Sequence, residues 1–97
     1  MTARETKEFI DCVTHEDCTV RWRDGVYWCN GVTHDPKTGE CAVAVWQLDP
    51  KNYEDIRDLL DFTGRSADEC MKHFLEDKYW DGRTFYEVAP EMEWIDL

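Results

Sequence analysis

The chain has 97 residues, of which 22 are acidic and 11 are basic, so its formal net charge at pH 7 is −11. A chain of this length forms one domain, and we expect residues 1–97 to be a single compact acidic domain. Direct binding to nucleic acid or to an anionic membrane requires a basic surface, so the charge argues against both. An apolar leader and a membrane-length apolar run are missing from the sequence, which predicts a cytoplasmic protein.

The N-terminal half predicts a helix followed by a three-stranded antiparallel meander. Thr2 and Glu5 fit a capping box at the start of a helix over residues 2–13. Alternating apolar residues then predict strands over residues 18–23, 26–32 and 40–48. The sequence Asp-Gly at residues 24–25 is typical of the type I′ turn that joins two strands tightly.

The C-terminal half predicts two helices and a second hairpin. Asp49 as N-cap and Pro50 as first helical residue predict a helix over residues 49–62. A capping box beginning at Ser66 predicts the next helix. Residues 81–82 predict the turn of a hairpin over residues 79–86, and residues 92–95 are expected to form a short strand or an irregular tail on the core. The predicted fold is therefore α+β, with the order α-β-β-β-α-α-β-β.

Cysteine and histidine residues are candidates for a metal site. The predicted strand pairing brings Cys18 and Cys41 to one end of the meander, where the first helix ends. Zinc prefers thiolate sulfur and imidazole nitrogen, so one hypothesis is a small zinc-stabilised module. Its candidate ligands are Cys12, His15, Cys18, His34 and Cys41. Their spacing matches no standard zinc finger, and the alternative is that the cysteines are buried free thiols and that the protein has no cofactor.

No pattern in the sequence indicates catalysis. A nucleophile elbow, a cysteine at a helix N-terminus and a set of oxyanion donors are not recognisable. Aspartate and glutamate are too frequent to single out a general acid and a general base. We therefore expect a non-enzymatic protein without catalytic residues.

The acidic residues are unevenly distributed, because residues 49–97 carry a net charge of −8 and residues 1–48 only −3. Four of them are expected to form an acidic surface on the predicted helix over residues 49–62: Glu54, Asp55, Asp58 and Asp61. Like charges at helical spacing destabilise a helix slightly, so helix stability does not explain them. They predict docking on a basic protein partner, with nucleic-acid mimicry as one version. The alternative is a solvated surface that only keeps the protein soluble.

Two tryptophans are expected to face each other across the second and third predicted strands. The register pairs Trp28 with Trp46, on the face opposite Val20 and Cys29. A sheet with two apolar faces must be covered on both or leave one open. Either the helices and the C-terminal hairpin cover both faces, or Trp28 and Trp46 form an exposed aromatic patch that binds a partner. The sequence leaves both alternatives open and predicts a monomer or a weak homodimer.

The leading interpretation of the sequence is a small acidic interaction or regulatory protein that docks on a basic protein. The zinc-stabilised module is the alternative. Metal content and salt-dependent binding distinguish these two hypotheses, because a zinc site is tightly coordinated whereas docking between charged surfaces is screened by salt.

Overall fold

A computed structural model describes residues 1–96, and its element order is α-β-β-β-β-α-α-β. The α+β class is confirmed, but the sheet has five strands rather than three. All strand pairs are antiparallel, in the spatial order β4-β3-β2-β1-β5. The elements are α1 (Ala3–Val13), β1 (Cys18–Trp22), β2 (Gly25–His34), β3 (Cys41–Leu48), β4 (Asp55–Gly64), α2 (Ala67–Glu76), α3 (Phe85–Val88), a 3₁₀ turn (Ala89–Glu91) and β5 (Glu93–Ile95). Within residues 1–96, no helix is long and apolar enough to cross a membrane.

The predicted starts of α1 and α2 are confirmed by their capping hydrogen bonds. The Thr2 hydroxyl accepts from the Glu5 N–H at 3.1 Å, and the Glu5 carboxylate accepts from the Thr2 N–H at 2.9 Å. The Ser66 hydroxyl accepts from the Glu69 N–H at 3.1 Å. Each bond satisfies an amide that the first helical turn leaves without an intrahelical partner.

The predicted C-terminal hairpin is reduced to its turn. Asp81 and Gly82 have positive φ values of 55° and 80°, and Trp80 pairs with Arg83 across them, as expected for this turn. The chain does not continue as a strand, because Thr84 forms a second capping box and starts α3. Residues 93–95 form the edge strand β5, which confirms the expected short strand.

The first hairpin turns one residue earlier than predicted. Its central residues are Arg23 and Asp24, with φ values of 48° and 64°, so Trp22 pairs with Gly25. The Arg23 guanidinium lies 4.3 Å from the centre of the Trp22 ring, which stabilises this turn. Gly25 lies instead in β2, where a Cβ atom would be 2.8 Å from the ring of Tyr27. The glycine is therefore required for a close contact with an aromatic ring rather than for a turn.

The predicted helix over residues 49–62 is wrong, because most of this segment is strand β4. The Asp49 carboxylate accepts from the Lys51 N–H at 2.8 Å, so it stabilises a loop over residues 49–54 rather than a helix. Strand β4 pairs with β3 with two register shifts. Such bulges interrupt the two-residue period of a strand. The apolar residues of β4 that pack on the core, Leu59, Leu60 and Phe62, therefore do not alternate with polar residues as in a regular strand.

The helices pack on one face of the sheet, where they form the core together with the inward-facing strand residues. Phe9 of α1, Phe74 of α2 and Phe85 of α3 have no exposed surface. Two buried apolar residues of the described chain, Val26 and Leu48, lie outside this core, on the opposite face. Of the two alternatives that the sequence leaves open, the described residues therefore fit the one in which the helices cover a single face of the sheet.

Replacing Gly31 with alanine is expected to lower the free energy of unfolding by about 1–3 kcal/mol, because overpacking displaces the backbone. A Cβ atom at this position would lie 2.4 Å from the carbonyl oxygen of Glu16. The Gly31 N–H also donates to the Asp17 carboxylate at 2.9 Å, which fixes the loop against the strand. Urea denaturation measures the stability, and amide NMR shifts of Glu16 and Asp17 report the displacement.

Gly39→Ala is the matched control, because Gly39 has a φ of 75° but no atom within 4 Å of an added Cβ. This substitution has a conformational cost of about 1 kcal/mol and no steric cost. A Gly31→Ala variant that is no less stable than Gly39→Ala, with unchanged shifts at residues 16 and 17, would contradict the contact.

Candidate functional site

The sheet face opposite the helices brings together the two tryptophans and three of the predicted acidic residues. We call this surface the open face. In the strand register, Trp46 lies between Trp28 on β2 and Asp58 on β4. The residues of the open face are Thr19, Arg21, Val26, Trp28, Asn30, Ala44, Trp46, Leu48, Asp55, Asp58, Asp61, Glu93 and Ile95.

The predicted pairing of Trp28 with Trp46 is confirmed, and both side chains are partly exposed. Their ring centres are 6.3 Å apart and the ring planes differ by 14°. The neighbouring row of the face contains Val26 and Leu48, which are only 3% and 4% exposed. The centre of the open face is therefore apolar and aromatic, with the two indoles at its surface.

The four residues predicted as an acidic surface are all exposed, although the helix that was to carry them is a strand. Asp61 pairs with Ala44 and Asp58 with Trp46, so both carboxylates lie on the open face. Their separation of three residues would place them on opposite faces of a regular strand, and the bulge between them restores a common face. Within residues 1–96, no hydrogen bond or ion pair occupies the side chains of Glu54, Asp55, Asp58 or Asp61.

The loop before β4 contributes a residue that sequence reasoning did not select. Tyr53 has a φ of 60°, a left-handed conformation that costs a bulky residue about 1–2 kcal/mol. Its N–H donates to the carbonyl oxygen of Asp49 at 2.7 Å, and the Asp49 N–H donates to that of Glu54 at 2.8 Å. These bonds close the loop and hold Tyr53 beside the tryptophans.

Tyr53 completes a cleft of about 370 Å³ on the open face. We call it the aromatic cleft, and its lining residues are Trp28, Trp46, Leu48, Tyr53 and Asp55. The side chain of Tyr53 is 53% exposed. The sequence carries no local signal for this cleft, because the strand pairing and the loop conformation create it.

The structure does not bring the five predicted zinc ligands together. Cys18 pairs with Cys29, whereas Cys41 pairs with His34, which is five residues further along β2. The predicted ligands thus form separate pairs, with Cys12 and Cys18 lining one cleft and His34 and Cys41 another, while His15 is exposed and lines neither. Among the residues that the structure describes, no three Cys, His, Asp or Glu side chains are arranged to hold a metal ion.

Four thiols, those of Cys12, Cys18, Cys29 and Cys70, lie in surroundings that favour the protonated form. Burial raises the pKa of Cys29, which is inside the core, and also that of Cys18. Partial burial and a hydrogen bond from its Sγ to the Glu16 carboxylate, at 2.9 Å, raise the pKa of Cys12. The thiolate is the form that binds metals and attacks electrophiles, so these surroundings disfavour both kinds of chemistry.

One thiol contacts an imidazole directly. Cys41 Sγ lies 3.1 Å from Nδ1 of His34, at the end of the β2–β3 pair that extends beyond β1. The Cys41 side chain is only 3% exposed. Such a contact can orient the histidine ring, but burial keeps the sulfur away from solvent.

Comparison of the chain with protein-family models, with curated proteins and with solved structures found no match. A proposal about its function therefore depends on the chemistry of its own residues.

Proposed function

We propose that this protein is a small non-enzymatic interaction protein that docks on a basic partner protein through the open face. One observation carries the proposal: the Trp28–Trp46 pair and the carboxylates of β4 share one face, with Asp58 directly beside Trp46. Sequence reasoning treated the tryptophans and the acidic residues as two separate surfaces. Their proximity gives a single surface with an aromatic centre and an acidic edge.

This arrangement has the composition of a protein interface. Interface centres are enriched in tryptophan and other aromatic residues, and charged residues lie mostly at the rim. The exposed carboxylates of Asp55, Asp58 and Asp61 attract a basic partner and accelerate its association. The indoles of Trp28 and Trp46 then supply apolar area, which stabilises the complex once water is excluded.

The charge also distinguishes a basic partner from a second copy of the chain. Two chains in contact through their open faces would join surfaces that both carry exposed β4 carboxylates, at a net charge of −11 per chain. Such like-charge contacts are unfavourable. We therefore expect the free protein to be a monomer, with a homodimer at most weak.

Nucleic-acid mimicry is one version of this docking. A mimic depends on its carboxylates alone, because they replace phosphates, and its binding is strongly weakened by salt. The open face differs in its aromatic centre, and binding through that centre persists when salt screens the charges. Docking that combines both contributions is therefore expected to be only partly salt-dependent.

Neutralising two carboxylates of the open face, those of Asp58 and Asp61, is expected to weaken binding of a basic peptide by about two- to thirtyfold. Each exposed ion pair contributes about 0.2–1 kcal/mol to binding. The probe is a synthetic peptide in which arginine alternates with apolar residues, and calorimetric titration at low and high salt measures its affinity. The test variant combines Asp58→Asn with Asp61→Asn on the open face.

The matched control combines Asp11→Asn with Glu76→Gln. These exposed residues lie on α1 and α2, on the other side of the sheet, and the net charge changes by the same amount. An equal loss of affinity in both variants would mean that only overall charge matters. No binding of the peptide to the natural chain would contradict the proposed docking.

A further inference from the structure

We propose that the aromatic cleft binds an arginine side chain of the basic partner. This inference rests on the proposed function, because it names the group by which the partner is recognised at the open face. The cleft is lined by three aromatic residues, Trp28, Trp46 and Tyr53, together with Leu48 and Asp55. None of the residues that line it is basic.

The lining matches both parts of an arginine side chain. A guanidinium group is planar and weakly hydrated, so it stacks on aromatic rings while remaining charged. A carboxylate such as that of Asp55 can accept two parallel N–H donors from the same group. The aliphatic stem of arginine then contacts apolar side chains such as Leu48. A lysine ammonium is a more strongly hydrated point charge, and it cannot form the bidentate pair with Asp55.

Two basic residues of the strands around the open face have other contacts. Arg57 precedes Asp58 on β4, but its Nε donates to Gln47 at 2.8 Å, on the helix-bearing side of the sheet. Arg21 lies on the open face and forms an ion pair with Glu93 at 3.3 Å. Neither lines the cleft, and Lys51, in the loop that contains Tyr53, does not line it either.

The conformation of Tyr53 supports a binding role for its ring. A positive φ favours glycine or asparagine, yet this position has a tyrosine that is 53% exposed and adds little to the core. Strained residues of this kind occur where a side chain must be held in a particular place for binding. In this protein the loop places Tyr53 among the residues that line the aromatic cleft, together with Trp28 and Trp46.

The test compares four versions of one basic peptide that differ at a single central position. That position is arginine, citrulline, lysine or trimethyllysine, so the set separates the planar shape of the group from its charge. We expect the arginine peptide to bind about five- to thirtyfold more tightly than the citrulline peptide, because a partly desolvated cation–π contact and an ion pair are lost together. Calorimetry measures the affinities, and tryptophan NMR signals show whether Trp28 and Trp46 respond.

The matched variants are Tyr53→Phe and Tyr53→Asn. Phenylalanine keeps the aromatic ring, whereas asparagine tolerates the left-handed backbone but removes the ring, so neither variant should unfold. Tyr53→Asn is expected to abolish most of the preference for arginine over citrulline, and Tyr53→Phe to retain it. A loss of that preference in both variants, or in neither, would overturn the role of the ring.

The remaining outcomes separate failure of the cleft from failure of the docking proposal. Suppose that the arginine and citrulline peptides bind equally well, while Asp58→Asn with Asp61→Asn still weakens binding. This result would overturn the proposal that the cleft binds arginine, and it would still support docking through the open face. If the trimethyllysine peptide bound more tightly than the arginine peptide, the arginine proposal would be overturned, because the cleft would prefer a quaternary ammonium group to a guanidinium group. Failure of all four peptides, or a stable homodimer in sedimentation that buries Trp28 and Trp46, would overturn both proposals.

Discussion

Replacing Trp80 with alanine is expected to lower the free energy of unfolding by about 3–5 kcal/mol. Trp80 has no exposed surface, and its ring centre lies 5.7 Å from that of Trp22 and 5.3 Å from that of Tyr27. The substitution removes the largest fully buried side chain and leaves a cavity that the surrounding rings cannot fill. Total stabilities of small domains are about 5–15 kcal/mol, so the variant is close to unfolding. Urea denaturation followed by circular dichroism measures the change.

The same substitution at Trp28 is the control, because it removes an identical side chain from the open face. Trp28 has Trp46 as its cross-strand aromatic neighbour, and such a pair contributes about 0.2–1 kcal/mol. We therefore expect Trp28→Ala to be much less destabilising than Trp80→Ala. Comparable losses would mean that the open face is covered in solution, which would also remove the surface on which the proposed docking depends.

The faces of the sheet could be predicted from the sequence even though the first hairpin register could not. The turn at Arg23–Asp24 shifts the pairing of β1 with β2 by two residues relative to the prediction. A shift of two preserves the alternation of a strand, whereas a shift of one would reverse every side chain. Trp28 and Trp46 were therefore assigned to the correct face. In the structure the ring of Tyr27 lies close to Gly25, a contact that local turn preferences do not describe.

Strand β4 shows why the rest of the site could not be predicted. Its two bulges interrupt the alternation of apolar residues that indicates a strand, and Asp49 and Pro50 before it are typical of a helix start. Only pairing with β3 distinguishes the strand from a helix, and that pairing is a long-range interaction. Because the segment was assigned to a helix, the exposed position of Tyr53 could not be predicted either, since it depends on the loop that precedes the strand. The acidic residues were recognised individually, but their proximity to Trp46 required the sheet.

Stability is expected to fall steeply above pH 9, because several thiols and one tyrosine hydroxyl have a raised pKa in the folded chain and ionise more readily in the unfolded chain. Cys29 and Tyr79 are two of these groups. Burial raises the pKa of the Cys29 thiol above its ordinary value of 9.0 and that of the Tyr79 hydroxyl well above its ordinary value of 10.0. Tyr79 also donates a hydrogen bond to the carbonyl oxygen of Phe74 at 2.7 Å, which its ionised form cannot do.

The sign of this effect follows from proton binding. Between the unfolded and folded pKa values, the folded chain binds more protons than the unfolded chain, so each further rise in pH favours unfolding. The contribution of Cys29 is fully present below pH 9 and is lost at about 1.4 kcal/mol per pH unit above it. Tyr79 adds a similar slope above pH 10. Urea denaturation at a series of pH values between 7 and 11 measures the combined slope.

Cys29→Ala and Val45→Ala separate this ionisation from loss of packing. The two residues are opposite each other on β2 and β3, and both have no exposed surface. Each substitution lowers stability at neutral pH, but only Cys29→Ala removes an ionisable group, so only this variant is expected to have a shallower slope above pH 9. An unchanged slope in Cys29→Ala would mean that the folded chain does not hold this thiol protonated. The thiol would then be ionised or reactive in the folded state, which would restore the thiolate chemistry that its burial disfavours.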